Sequence, residues 1–162
     1  MAQPYLRSSV AVATAVALGS ISAIHVLWGR GSTFPFSERS ELNDQVVGQQ
    51  VIPSPASCYA VAGMLAVAAV SVERAARGSS RTARLATMGC SAVLGTRAVL
   101  GFTGRTHLAV PNSTSAAFRR NDRRIFAPLC AGLASGAAYA AMGRARPARL
   151  NGSSVVVTSP IT

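Results

Sequence analysis

Four long apolar stretches separated by polar segments constrain the fold of this chain more than any other feature. They cover about residues 10–28, 56–72, 85–101 and 125–142. At a rise of about 1.5 Å per residue, a helix of about twenty residues spans the ~30 Å hydrocarbon core of a bilayer. Because lipid offers the backbone no hydrogen bonds, each stretch is predicted to be a helix. The sequence therefore predicts an all-α membrane protein, a four-helix transmembrane bundle.

The amino-acid composition agrees with a membrane location. Hydrophobic residues make up 49% of the 162 residues and charged residues 13%, which is about half the charged share of soluble domains. The net charge of +11 could indicate nucleic-acid binding, but all sixteen basic residues are arginines. Most of them flank the apolar stretches, where membrane topology requires positive charge. We therefore predict the lipid bilayer as a partner and no nucleic acid.

The polar segments indicate the domain organisation. Residues 29–55 contain three of the five acidic residues, and this segment is longer than most connections. It is predicted to form a polar cap loop on the outer side of the bundle. The transmembrane domain is expected to cover residues 1–143. The Gly-, Ser- and Thr-containing residues 144–162 are expected to form a disordered cytoplasmic tail.

Individual residues predict how the helices begin and pack. Ser57 is expected to cap the second span, and Gly63 to lie at a helix contact within it. Pro128 lacks a backbone donor and is expected to kink the start of the fourth span. Gly132 and Gly136 lie four residues apart on one helix face, so they are predicted to allow close approach of a neighbouring helix.

Arg97 is the one charged residue well inside a predicted span, near the outer end of the third. A charge in hydrocarbon is costly unless it is paired. Asp122, just before the fourth span, is the acidic residue expected at that depth. We predict a bidentate pair between Arg97 and Asp122, covered from the first helix by His25 and Trp28. In the alternative, Asp122 pairs with a neighbouring arginine on its own helix, and Arg97 snorkels alone to the interface.

Three groups of residues in this chain resemble the DUF3995 family. They are His25-xx-Trp28, Arg97, and the block Phe118-xxx-Asp122-xxxxx-Pro128-Leu129-Cys130. The resemblance covers roughly residues 10–142 and implies a small bacterial integral membrane protein with four helices and unknown function. The family pattern often reads Leu-Tyr-Ser before the proline, whereas this chain has Ile-Phe-Ala at 125–127, so two hydroxyl groups are absent here.

The predicted topology brings polar residues from several helices to the outer leaflet. This candidate cluster comprises His25, Trp28, Arg30, Arg97 and Asp122. We predict that it binds a small ligand, a lipid headgroup or a membrane partner, and helix-mediated homo-oligomers are also compatible with the sequence. No nucleophile with a neighbouring base is evident, so no catalytic residue is assigned. The alternatives are a membrane-embedded enzyme with His25 and Asp122 as acid–base groups, or a small transporter subunit.

The three cysteines do not form a CxxC motif or a zinc-binding spacing, so neither a metal site nor a cofactor is predicted. Cys58 and Cys130 are expected near the outer surface, and Cys90 is expected to be buried in the third span. Whether Cys58 and Cys130 form a disulfide is left open by the sequence.

The arginine-rich linker between the second and third spans predicts the orientation in the cell membrane. It carries Arg74, Arg77, Arg81 and Arg84, and short positively charged loops stay in the cytoplasm. Four spans then place both termini in the cytoplasm. Reporter fusions after Arg77 and after Glu41 should therefore report opposite sides, with Arg77 cytoplasmic. Reporters that locate both positions on the same side would contradict the four-span topology.

Overall fold

The computed structural model describes residues 3–48, 53–78, 80–109 and 115–142, and all regular structure in these ranges is helical. The α-helices are α1 (Gln3–Gly29), α2 (Arg39–Leu42), α3 (Pro55–Ala76), α4 (Arg81–Phe102), α5 (Ala116–Asn121) and α6 (Ala127–Ala141). Two π-helical turns (Asn43–Val47 and Asp122–Phe126) and a 3-10 turn (Thr106–Leu108) complete them. The predicted tail, residues 144–162, lies outside the described residues.

Three helices are long and apolar enough to cross a membrane: α1 from Tyr5, α3 and α4. In their most apolar windows only 22%, 22% and 17% of the residues are buried inside the protein. Large apolar side chains therefore cover the outer surface, which suits lipid rather than water. The prediction of an all-helical chain with membrane-length helices is confirmed at this level. The fourth apolar stretch forms α6, which has 15 residues.

Small side chains dominate the contacts between the helices. Helix α1 packs mainly along α3, and α4 packs mainly along α6. The buried cluster consists of Ala11, Leu18, Val72, Leu133, Ala137 and Ala140. Two serine hydroxyls connect neighbouring helices: Ser22 donates to the Ala62 carbonyl at 2.8 Å, and Ser91 donates to the Ala134 carbonyl at 2.8 Å. Such small residues and hydroxyl bonds are typical of helix contacts in membranes.

Prolines determine how α3 and α6 begin. Pro55 occupies the first turn of α3, and the Ser54 hydroxyl accepts a hydrogen bond from the Ser57 amide at 3.2 Å. The predicted cap, Ser57, is therefore wrong, because proline moves the helix start three residues back. The kink expected at Pro128 stays a prediction. The proline lies in the first turn of α6, directly after the π-helical turn Asp122–Phe126. A wider turn accommodates a residue that cannot donate to the preceding turn.

The segment after α1 docks onto α5 through polar side chains. The Ser115 hydroxyl donates to the Asp44 carboxylate at 2.5 Å, and the Asn121 amide donates to the Gln45 side chain at 2.6 Å. Phe118 is buried at this contact. Because α5 leads into α6, these bonds fix the segment that follows α1 against the start of the last helix.

The glycines divide into contact and surface positions. A Cβ atom on Gly136 would collide with the hydroxyl oxygen of Thr14 on α1, so glycine is required for this approach of α6 to α1. A Cβ on Gly132 or on Gly63 would meet nothing within 4 Å. The predicted contacts at Gly63 and Gly132 are therefore wrong, and the one at Gly136 is confirmed. Both wrong positions lie on faces exposed around the bundle.

The two glycines of α6 provide a matched test of the packing. Gly136→Ala should lower the free energy of unfolding by about 1–3 kcal/mol, because the added methyl forces α1 and α6 apart. Gly132→Ala should be neutral or slightly stabilising, because alanine favours helix and nothing obstructs it. Unfolding of the detergent-solubilised variants measures both. An equal loss of stability in the two variants would contradict the packing of α6 on α1.

Candidate functional site

A buried carboxylate, Asp122, joins the end of α4 to the start of α6. The Arg97 Nη2 atom of α4 donates to Asp122 Oδ1 at 2.5 Å. The Thr106 hydroxyl, in the 3-10 turn after α4, donates to Asp122 Oδ2. Asp122 is 2% exposed, whereas the Arg97 side chain is 23% exposed. Both carboxylate oxygens thus have partners, as a buried charge requires.

The π-helical turn explains how Asp122 comes to face the interior. The buried residues along this segment are Phe118, Asp122 and Ala127, which are spaced by four and then by five residues. In a regular α-helix a spacing of five residues would turn the side chain away from the contact, because one turn takes about 3.6 residues. The wider turn Asp122–Phe126 keeps both Asp122 and Ala127 on the buried side.

Gly101 allows α4 to approach this segment closely. A Cβ atom at Gly101 would lie 2.7 Å from the Ala127 Cβ atom and 3.2 Å from Asp122 Oδ1. It would also lie 3.1 Å from Arg97 Nη1, so a larger residue would disturb both the helix contact and the ion pair. Sequence reasoning missed Gly101 and Thr106 as site residues. The signal for Gly101 is its position one helical turn after Arg97.

The predicted pair of Arg97 and Asp122 is confirmed, but its bidentate geometry is wrong. Nη2 alone contacts the carboxylate, and Nη1 is buried without a hydrogen-bond partner among the described residues. Thr106 holds the second carboxylate oxygen instead. The alternative pairing of Asp122 with an arginine of its own helix is wrong. The bond between Arg97 and Asp122 is therefore a contact between two helical segments. Burial of either charge without the other would be costly.

His25 and Trp28 lie next to one another at the end of α1. Their ring centroids are 4.9 Å apart. His25 Nδ1 lies 2.8 Å from the Ile21 carbonyl oxygen, and the Trp28 indole donates to the Phe34 carbonyl at 2.7 Å. Both rings are half-buried. The backbone of α1 and of the following loop therefore fixes the two rings, and each still presents a face to its surroundings.

An open cleft of about 820 Å³ separates the α1–α3 pair from α4. His25 and Trp28 line it from α1 and Arg97 lines it from α4. Its other walls are mainly apolar and include Val61, Val93, Leu94, Leu100 and Phe118. The cleft therefore combines a hydrocarbon-like wall with a few polar groups, which is the usual composition of a small-molecule site.

The predicted polar cluster is divided in the structure. His25, Trp28 and Arg97 share the cleft, whereas Asp122 is buried behind Arg97 and does not line it. Arg30 is exposed just after α1 and does not line the cleft either. A ligand-binding role for these residues remains a prediction.

The three cysteines are free thiols. Cys58 is buried and lines the cleft. Cys90 lies within α4 and is partly exposed on the protein surface, so its burial in the membrane stays a prediction. Among the described residues, no three side chains of His, Cys, Asp or Glu come together in a way that could hold a metal ion.

These features define a helical protein with membrane-length apolar helices and a buried Arg–Asp pair beside an open cleft. The chain belongs to the DUF3995 family, whose members are described as proteins of unknown function, and the family model matches residues 18–150. The resemblance noted in the sequence is thereby confirmed, and the matched range includes the pair and the cleft. No curated protein and no solved structure matches the chain.

A double-mutant cycle tests the energetic role of the pair. Asp122→Ala should lower the free energy of unfolding by about 3 kcal/mol, because Arg97 loses the partner of a largely buried charge. Arg97→Ala should also destabilise, and the double variant should cost about 1–3 kcal/mol less than the sum of the two. Unfolding in detergent gives all three values.

The pair of Glu73 and Arg77, with 2.5 Å between Oε2 and Nη2, is the control for this cycle, because Arg77 is 75% exposed and both residues belong to the end of one helix. Because it lies one helical turn apart on the surface of α3, its coupling should stay near or below about 0.5 kcal/mol. Simple additivity in the cycle of Arg97 and Asp122 would contradict the inter-helix pair.

Proposed function

We propose that this chain is a multi-pass protein of the cell membrane in which α1, α3, α4 and α6 form a four-helix transmembrane bundle. The apolar outer surfaces of the first three support this arrangement. Helix α6 continues directly from α5 through the π-helical turn, which adds length to its short regular part. The docked segment after α1 would then form the polar outer cap, with both termini in the cytoplasm.

We further propose that the cleft binds a membrane amphiphile with an apolar chain and a hydrogen-bonding head. The observation that carries this proposal is the placement of Arg97 on the wall of an otherwise apolar cleft. Because Asp122 restrains its guanidinium group at 2.5 Å, Arg97 is held in position before a ligand arrives. An acyl chain would pack along the apolar wall, while His25 and Arg97 would contact the head.

Binding is favoured over acid–base catalysis by the bonding of the two candidate groups. Asp122 accepts hydrogen bonds on both oxygens, from Arg97 and from Thr106, and it does not line the cleft. A general base must reach the proton that it removes, directly or through one water. His25 borders the cleft, but Asp122 lies behind Arg97, so the two do not face a common substrate position.

The single tryptophan, Trp28, gives a direct reporter for the proposed cleft site. Dibrominated phosphatidylglycerol, titrated into protein in a neutral detergent, should quench Trp28 fluorescence saturably. Val93→Phe should weaken this quenching about threefold or more, because Val93 lines the cleft and the larger ring occupies ligand space. Quenching of intrinsic fluorescence against lipid mole fraction is the measurement.

Val99→Phe is the matched control, because Val99 lies on the same helix, is similarly exposed and does not line the cleft. Its quenching curve should match that of the unmodified protein. Quenching that rises without saturation and is the same in all three proteins would reflect simple partitioning of lipid around the bundle. That result would contradict a cleft site.

A further inference from the structure

A second cavity is lined by Asp122, the partner of Arg97. Its volume is about 510 Å³. Its lining residues are Gly101, Thr103, Gly104, Thr106, Arg119, Arg120, Asp122, Arg123 and Arg124. We name it the arginine pocket. It shares no lining residue with the cleft, so a ligand there would make different contacts from those of the proposed amphiphile.

Helix geometry concentrates the four arginines on one side of their segment. Residues 119, 120, 123 and 124 follow the spacing i, i+1, i+4 and i+5. In an α-helix this spacing covers less than half of the circumference, and the wider turn that begins at Asp122 does not spread it further. Asp122 points to the buried side of the same segment. The charges therefore gather beside the end of α4 instead of spreading around the helix, as they would if they only anchored it at a membrane surface.

The four arginine side chains of the pocket have no hydrogen-bond partner among the described residues. Within the described part of the chain, no hydrogen bond or ion pair engages any of them. The carboxylate that lines the pocket, Asp122, is already bonded to Arg97 and Thr106. Four like charges around one cavity repel one another, and an anion bound between them would offset this repulsion.

Gly104 leaves space for the Arg123 guanidinium group in the pocket. It has a φ angle of 69°, and a Cβ atom there would lie 3.1 Å from Arg123 Nη2. Any other residue would be strained at this φ and would crowd the guanidinium group. The turn after α4 therefore holds one face of the pocket open for Arg123. Planar guanidinium groups match the geometry of phosphate oxygens and bind them through two parallel hydrogen bonds.

We propose that the arginine pocket binds a phosphate group, carried either by a lipid headgroup or by a phosphate ion in water. Three observations support this ligand class. Four arginines line the cavity, its volume is sufficient for a phosphate group, and the one carboxylate in its lining, Asp122, is bonded to Arg97 and Thr106. The proposal goes beyond the amphiphile cleft and does not depend on it, because the two cavities share no lining residue.

Calorimetric titration in a neutral detergent tests the pocket with two probes, inorganic phosphate and dihexanoylphosphatidic acid. The double variant Arg120→Gln, Arg123→Gln should lower the affinity for the bound probe about tenfold or more, because it removes two charge-assisted contacts. Both positions are exposed, so the fold should persist, and thermal unfolding in the same detergent checks this. Raising the ionic strength should weaken binding to the unmodified protein.

The matched control is the double variant Arg30→Gln, Arg81→Gln, which removes the same charge from exposed positions outside the pocket, one after α1 and one at the far end of α4. Its affinity should change less than about twofold, since charges beyond a Debye length are largely screened. Equal losses in the two double variants would show a diffuse charge effect and overturn the proposal. Failure of both probes to bind the unmodified protein would also overturn it.

The two probes distinguish the sources of the phosphate group. Binding of inorganic phosphate would identify a site for a phosphate ion, and binding of dihexanoylphosphatidic acid alone would identify a lipid headgroup site. Val93→Phe should leave either affinity unchanged, because Val93 lines the cleft and not the pocket. The experiments can therefore contradict the pocket proposal and the cleft proposal independently of one another. Arg123→Lys keeps the charge but loses the planar fork and should bind at least about threefold more weakly; unchanged binding would overturn the assigned geometry.

Discussion

The bond between Arg97 and Asp122 is the interaction on which the rest of this structure depends. Each charge would be costly among apolar helices without the other. The hydrogen bond of 2.5 Å between them connects α4 to the segment before α6. The Thr106 hydroxyl donates to the second carboxylate oxygen of Asp122. Because Gly101 has no side chain, α4 can approach Ala127 and Asp122 closely. The pair therefore fixes α4 against the start of α6. One member, Arg97, lines the cleft, and the other, Asp122, lines the arginine pocket.

The other contacts between the helices are individually weak, so the bond between Arg97 and Asp122 matters more for the packing. Lipid is as apolar as the side chains between the helices, so burial alone gives little preference for one packing over another. Two local features favour the observed packing instead. Helix α6 approaches α1 closely at Gly136, and the hydroxyls of Ser22 and Ser91 donate hydrogen bonds to neighbouring helices. A charged pair with few alternative partners favours one arrangement of the helices, which alanine-rich surfaces alone do not. Buried polar groups have this role in some other helical assemblies.

Sequence reasoning could predict the class of fold and the pairing of Arg97 with Asp122, but not the rotation of the helices. Length and hydropathy identify the apolar helices, and matching depths bring Arg97 and Asp122 together. Gly63 was misplaced because the lipid-facing and protein-facing sides of such a helix are both apolar, so periodicity hardly distinguishes them. The inward position of Asp122 depends on a π-helical turn before Pro128, and no simple hydrophobic pattern predicts that turn.

A carbon–carbon distance between the Arg97 and Asp122 side chains, measured in lipid bilayers, tests the central claim most directly. Solid-state NMR on protein with labelled arginine and aspartate can report the separation of the Arg97 guanidinium carbon and the Asp122 carboxyl carbon. The bond described here predicts about 4–5 Å, the range of a hydrogen-bonded ion pair. Separation of these carbons by more than about 7 Å, beyond any direct hydrogen bond, would contradict this bond and the two sites built around it.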